Sequence, residues 1–204
     1  MILEAALLGL LVGLFAKGSF RSIAHKRFRH LWLVFVSIAA QVAVSSGGVE
    51  RFLLSPGADG SPPLLTDETL PLVGFALLRY VPLALFLLLN VAKPGLRLVL
   101  AGSVLNAAVI LANGGRMPVG PALARYGQEA VDRVLASPDY RYAPDGAPLG
   151  FLGDLLPVRL VSPYMVSAGD FAIALGAFLF AWYLVRRPRP ARLQAASGRT
   201  RRVA

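Results

Sequence analysis

Two aspartates, Asp154 in "FLGD" and Asp170 in "SAGD", are the side chains of this sequence best placed for chemistry. Carboxyl groups held within hydrogen-bonding distance cannot both ionise easily, so one keeps a proton and the pair can work on a water molecule as acid and base. Asp132 is a second candidate partner for Asp170. A plainer role is open to the same residues: "GD" ahead of "LLP" is a turn sequence, and an Asp opening a helix complements its dipole. Glu4, Gln41, Arg79, Asn106, Asn113 and Arg116 are the other polar side chains standing in or beside long apolar runs. Arg79 is the most demanding of them. It lies inside "LPLVGFALLRYVPLALFLLLN", and an arginine at the centre of a membrane helix costs about 2.5–3.5 kcal/mol. It should turn inward to a carboxylate or to backbone carbonyls, one of which Pro82 frees nearby, or else snorkel to the outer headgroups. Asn106 and Asn113 stand two helical turns apart on one face, about 10 Å, so both can look into a bundle. Asn113 can equally serve as a cap where Gly114, Gly115 and Pro118 turn the chain.

These side chains need elements to hold them, and composition says which kind. Of 204 residues 56% are hydrophobic and 16% charged, with a mean hydropathy of +0.62. The expected fold is therefore an all-α integral membrane protein. Apolar runs of suitable length lie at about 1–16, 31–46, 70–90, 97–113 and 168–185, which gives a bundle of five transmembrane helices. The first run has its basic residues after it and Glu4 near its start, the reverse of a signal peptide, so it is read as a retained span. Gly9 with Gly13, and Ala172 with Gly176, are small-residue pairs suited to close helix packing.

Charge orients the bundle. Five Lys or Arg fall in 17–30, two at Lys93 and Arg97, and seven from Arg186 onward, together fourteen of the 21, and no acid lies among them. The positive-inside rule then puts the N-terminus outside and the C-terminus in the cytoplasm. Residues 1–185 form the transmembrane domain and 186–204 a basic, disordered cytoplasmic tail. Its charge serves topology and, in addition, contact with anionic lipids rather than nucleic acid. In the outer loop 114–167, Val119, Ala122, Leu123, Ala130, Val131, Val134 and Leu135 recur at helical spacing, and Ser137 and Pro138 end the pattern. An amphipathic helix on the outer surface is expected there. The residues 47–69 form a second, turn-rich outer loop, and "LGDLLPVRLVSPYMVSAGD" is apolar enough to dip back towards the membrane.

The sequence also excludes chemistry. It has no cysteine, which removes disulfides, thiolate metal sites and cysteine nucleophiles. His25 and His30 sit in a basic loop without acidic neighbours, so no metal and no cofactor are expected. Nucleotide-binding fingerprints and the G-x-S-x-G of serine hydrolases are absent.

"NGGRMPV" at 113–119, "FLGD" at 151–154 and "SAGDFAIALG" at 167–176, set within five spans, resemble an uncharacterised family of small bacterial multi-pass membrane proteins. That resemblance implies the bacterial plasma membrane and no activity. A shorter likeness is to lipoprotein signal peptidase, an aspartic protease of the outer leaflet. Gly169, Asp170, Ile173 and Gly176 match its last-span pattern, with Ser167 where that family has an asparagine, and Asn113 with Gly115 echoes its N-x-G. The counterpart of its N-x-x-D-R is "EAVDR", Glu129 to Arg133, without the asparagine.

The expected function is a multi-pass protein with a polar pocket opening outward, built from Glu4, Gln41, Arg79, Asn106, Asn113, Arg116, Asp154 and Asp170. Its occupant is expected to be a lipid headgroup, a peptide or a partner membrane protein. Without a complete catalytic set the balance falls against an enzyme. The alternatives are an aspartic membrane peptidase using Asp154 and Asp170, and a small transporter or channel, which the apolar inner halves of the spans disfavour.

Overall fold

The computed structural model of the chain describes residues 1–46, 69–159 and 163–187. The expectations for 47–68, for 160–162 and for the tail from 188 onward lie outside the described residues. The chain is mostly helical. Five apolar helices, α1 (Ile2–Phe15), α2 (Trp32–Ser45), α3 (Thr69–Leu89), α4 (Leu96–Ala112) and α6 (Ala168–Val185), correspond to the five apolar runs. A shorter helix, α5 (Gln128–Leu135), precedes α6 in the chain. Of the five, α3 and α6 are long and apolar enough to cross a membrane by length and composition, while α1, α2 and α4 are shorter.

The apolar helices stand in a row, α1 against α6, α6 against α4, α4 against α3 and α3 against α2. Small residues set the spacing in the first two pairs. Gly9 and Gly13 of α1 meet the Phe178 backbone and the Val185 and Trp182 side chains of α6, leaving no room for a Cβ. Their expected packing role is thus the observed one. Gly102 lies on Gly169 and Ile173, and Gly95 on Gly176, so α4 and α6 run antiparallel in close contact. Leu33, Phe86, Leu87 and Leu96 fill the space between α2, α3 and the start of α4. Large apolar side chains also cover the outside: Leu7 and Leu11 on α1, Phe35 and Ile38 on α2, Leu78 and Leu85 on α3, and Phe171 and Leu175 on α6 are exposed. This is the reverse of a water-soluble helix, whose outer face is polar.

The basic segments meet at one end of the row. Asn90, 1% exposed, accepts from Arg29 N at 3.1 Å and from Lys93 Nζ at 2.8 Å through its Oδ1. Lys26 Nζ reaches the Arg186 carbonyl at 3.4 Å.

The opposite end carries a cap built from 114–159 and 163–167, and here the all-α expectation is corrected. Strand β1 (Met117–Val119) pairs in parallel with β2 (Tyr140–Tyr142), and β3 (Leu156–Arg159) pairs antiparallel with β4 (Pro163–Val166). The amphipathic helix is α5 alone and does not begin at Val119, which is a strand residue. Gly120 and Pro121 open a 3-10 turn over Pro121–Tyr126, and Gly127, at φ 88°, separates that turn from α5. Val119, Leu123, Ala130 and Val131 still share one small core, so their helical spacing reported a common buried side rather than one continuous helix.

Candidate functional site

Arg79 finds its partners on another helix and in the cap. Its Nη1 donates to Gln41 Oε1 on α2 and lies 3.6 Å from Asp139 Oδ1, just ahead of β2. Its Nη2 is 3.3 Å from the Tyr80 hydroxyl, and the guanidinium sits 4.6 Å from the Tyr80 ring centre. Gln41 and Ser45 hold the other carboxylate oxygen of Asp139: Gln41 Nε2 donates to Oδ2 at 3.4 Å and Ser45 Oγ at 2.7 Å. The carbonyl freed by Pro82 and the outer headgroups are therefore not what satisfies Arg79. Asp139 itself is fixed by its backbone, whose carbonyl accepts from Met117 N at 2.8 Å as β1 and β2 come together. Sequence reasoning passed over Asp139, because in "SPDYRY" it reads as the turn that ends α5. The one available signal was that Arg79 needed a carboxylate and that all 11 acids lie in or beside the segments expected outside.

Asp170 sits in a closed network at the start of α6. Its Oδ2 accepts from Ser167 N at 3.0 Å and Ser167 Oγ accepts from Asp170 N at 3.0 Å, which is a reciprocal capping box. Oδ1 accepts from Asn106 Nδ2 at 2.9 Å, and Ser167 Oγ donates to Asn106 Oδ1 at 3.0 Å. Gly169 makes this possible, since a Cβ there would overlap the Asn106 side chain. Asp170 is thus the helix cap that its position suggested, and through Asn106 it also ties α6 to α4.

Asp154 is held by its backbone. Its N donates to the Pro118 carbonyl at 2.9 Å and its carbonyl accepts from Gly120 N at 3.0 Å, a parallel bridge around Val119. The residue is 6% exposed, and Oδ1 has no hydrogen-bond partner among the described residues. Burial, and then the Asp170 carboxylate, push the Asp154 carboxyl up to about 8. Burial also pushes the neighbouring Tyr140 hydroxyl up to about 12, with Asp154 as the next contribution.

Gln41, Arg79, Asn106, Asp154 and Asp170, joined by Tyr80, Asp139 and Tyr140, line one cavity of about 170 Å³ over Ile110 and Met117. Each comes from a different part of the chain: α2, α3, α4, the cap and α6. The remaining candidates lie elsewhere. Glu4 pairs with the N-terminal amine of Met1. Asn113 caps α4, its Nδ2 donating to the Val109 carbonyl at 2.7 Å and the Pro148 carbonyl at 2.8 Å. It does not hydrogen-bond across the bundle as Asn106 does. Arg116 borders, with Asn113 and Arg141, a separate cavity of about 410 Å³. Asp132 accepts from Gln128 Nε2 at 2.9 Å on the exposed side of α5. Among the described residues no three His, Asp or Glu converge as they would to hold a metal ion.

The chain matches the model of a family of unknown function, DUF5317, over residues 25–182. An uncharacterized protein of Thermotoga maritima is 31% identical over 115 residues, a stretch that covers 55% of this chain and 63% of that protein. No solved structure matches significantly.

Proposed function

This chain belongs to the DUF5317 family, whose function is unknown, and from that premise we propose a five-span plasma-membrane protein that binds a small polar group beneath its outer cap. The observation that carries the reading is the cavity in which Gln41, Arg79, Asn106, Asp139, Asp154 and Asp170 converge. Polar groups at membrane depth are costly unless they face a protein interior or a wet cavity. Here they gather in one place while the outer faces of the helices are apolar. The spans are α1, α2, α3, α4 and α6, the shorter ones completed by flanking residues. The gathering of Lys26, Arg29, Lys93 and Arg186 at one end supports a cytoplasmic location for that end and an outward-facing cap. Packing of Phe28, Phe86 and Phe180 towards the basic end supports a binding site closed on that side rather than a transport route.

The test compares lipids and proteins that co-purify with the wild-type chain and with Arg79→Gln and Asp170→Asn, each checked for an intact fold by circular dichroism. Loss of a retained lipid or partner in both variants is expected. Unchanged co-purification from two folded variants would remove the binding reading.

A second reading, an aspartic membrane peptidase, is favoured by one observation, the raised Asp154 carboxyl beside the Asp170 carboxylate. Against it, both oxygens of Asp170 are already engaged, by Asn106 and by Ser167. Cleavage of a membrane-anchored precursor that disappears in both Asp154→Asn and Asp170→Asn would put this reading first.

A further inference from the structure

We propose that the group bound in this cavity is a primary ammonium, hydrogen-bonded by Asp154 and balanced in charge by Asp170, whose oxygens are already held by Asn106 and Ser167. The inference rests on the binding reading above and gives it a ligand class. It follows from charge and from which hydrogen-bonding atoms are already taken. Arg79 is balanced by Asp139 and held by Gln41 and Tyr80. That leaves two carboxyl groups, Asp154 and Asp170, with no cationic partner among the described residues lining the cavity. Asp154 Oδ1 is a buried acceptor without a donor, and such an atom is expensive until a ligand supplies one. A primary ammonium brings three N–H donors and the missing positive charge. Tyr80 and Tyr140 also line the cavity.

Other ligand classes fit less well. An anion would face two carboxyl groups. A quaternary ammonium has no N–H for Asp154 Oδ1. A metal ion lacks three converging His, Asp or Glu ligands among the described residues. About 170 Å³ admits a group of a few heavy atoms, so either a small free amine or the tip of an ethanolamine headgroup enters, and the rest of a lipid stays outside. Arg79 Nε, also without a partner among the described residues, is then a donor for an oxygen next to the amine.

Protonation couples to this binding. The titratable and charged groups lining the cavity with Asp154 are Asp170 from α6, Arg79 and Tyr80 from α3, and Asp139 and Tyr140 at β2. Burial holds the proton on Asp154 up to about pH 8. The ammonium favours the carboxylate, so binding releases that proton, and apparent affinity rises with pH by up to about tenfold per unit below pH 8.

The experiment uses the full chain in detergent, titrated calorimetrically with ethylammonium chloride between pH 6 and 8.5. A second arm uses nanodiscs of mixed phosphatidylethanolamine and phosphatidylcholine, from which the lipids retained by the protein are measured. We expect ethylammonium to bind with proton release below pH 8, and Asp154→Asn to weaken binding about tenfold at pH 8.5 and to remove its pH dependence. Asp154→Glu should restore part of both. Preferential retention of phosphatidylethanolamine, equalised in Asp154→Asn, identifies the headgroup as the source. Ethylammonium binding without lipid preference identifies a free amine. The proposal is overturned if ethylammonium binds no better than tetramethylammonium and the two lipids are retained equally, or if folded Asp154→Asn behaves as wild type. Sodium ethyl phosphate separates the two levels of failure. If it binds in place of the amine and is lost in Arg79→Gln, the pocket stands and the ammonium class falls. If no probe distinguishes wild type from Asp154→Asn or Arg79→Gln, both fall.

Discussion

Burying Asp154 beside Asp170 disfavours its carboxylate far more than its acid form, and this has a consequence for stability. The carboxyl titrates at about 8 in the folded chain against 3.8 in an unfolded one. Between those values the folded state binds one more proton than the unfolded state. Asp154 therefore contributes most below pH 4, and its contribution is lost as pH rises towards 8, by up to about 1.4 kcal/mol per unit. Asn at this position has the shape of the neutral acid and does not titrate. The melting temperature of Asp154→Asn, measured against wild type in the same detergent, is expected to gain on it steadily from pH 5 to pH 8. A difference that does not change with pH would show that Asp154 is not held protonated by the fold. Only the burial makes this visible. In the sequence, "FLGD" is a turn with an aspartate in it, and nothing local says that the Pro118 and Gly120 backbones will seal it in.

At the scale of elements, the contact of α4 with α6 does the positioning. It brings Asn106 to Ser167 and Asp170, and it depends on glycines that let two backbones approach. Gly169→Ala would drive a methyl group into the Asn106 side chain and towards the Gly102 carbonyl. Overpacking of this kind typically costs about 1–3 kcal/mol, and here it would also break the Asn106–Asp170 hydrogen bond. Ser167→Ala, which removes the cap and the Ser167–Asn106 hydrogen bond but leaves the close approach of the two backbones unobstructed, is expected to cost about 1–2 kcal/mol. Denaturant titration of the two variants should rank Gly169→Ala as the more damaging. The reverse order would mean that the cap, rather than the close approach, holds the pair together. The small residues and the capping sequence were legible beforehand, as was the apolar run of each helix. The strands of the cap were not, because segments of three or four residues such as "MPV" and "YRY" have too short a period to be read and form only where a partner segment happens to lie alongside.

The whole molecule is organised as a row of apolar helices with basic segments at one end and a folded cap at the other. The absence of cysteine from the sequence makes its orientation simple to test with single introduced cysteines and a membrane-impermeant maleimide. With an N-terminus outside and a cytoplasmic C-terminus, Asp145→Cys in the cap should label in intact cells, and Ser197→Cys only after permeabilisation. The opposite pattern would invert the topology, and labelling of both in intact cells would show that α6 does not cross the membrane.

Composition, hydropathy and charge order, quantities summed over many residues, determined by themselves that this chain makes apolar helices, where they begin and end to within a few residues, and that its basic and acidic segments alternate. The same reasoning required partners for Arg79 and suggested Asp170 as a cap. What only the tertiary structure decided is which polar groups meet. Gln41, Arg79, Asn106, Asp154 and Asp170 share a cavity while Glu4, Asn113 and Arg116 do not, and Asp139 rather than a local carbonyl answers Arg79. Helix formation follows from neighbours a few residues apart, whereas the meeting of side chains from five separate segments depends on how glycine contacts and cap strands register those segments against one another.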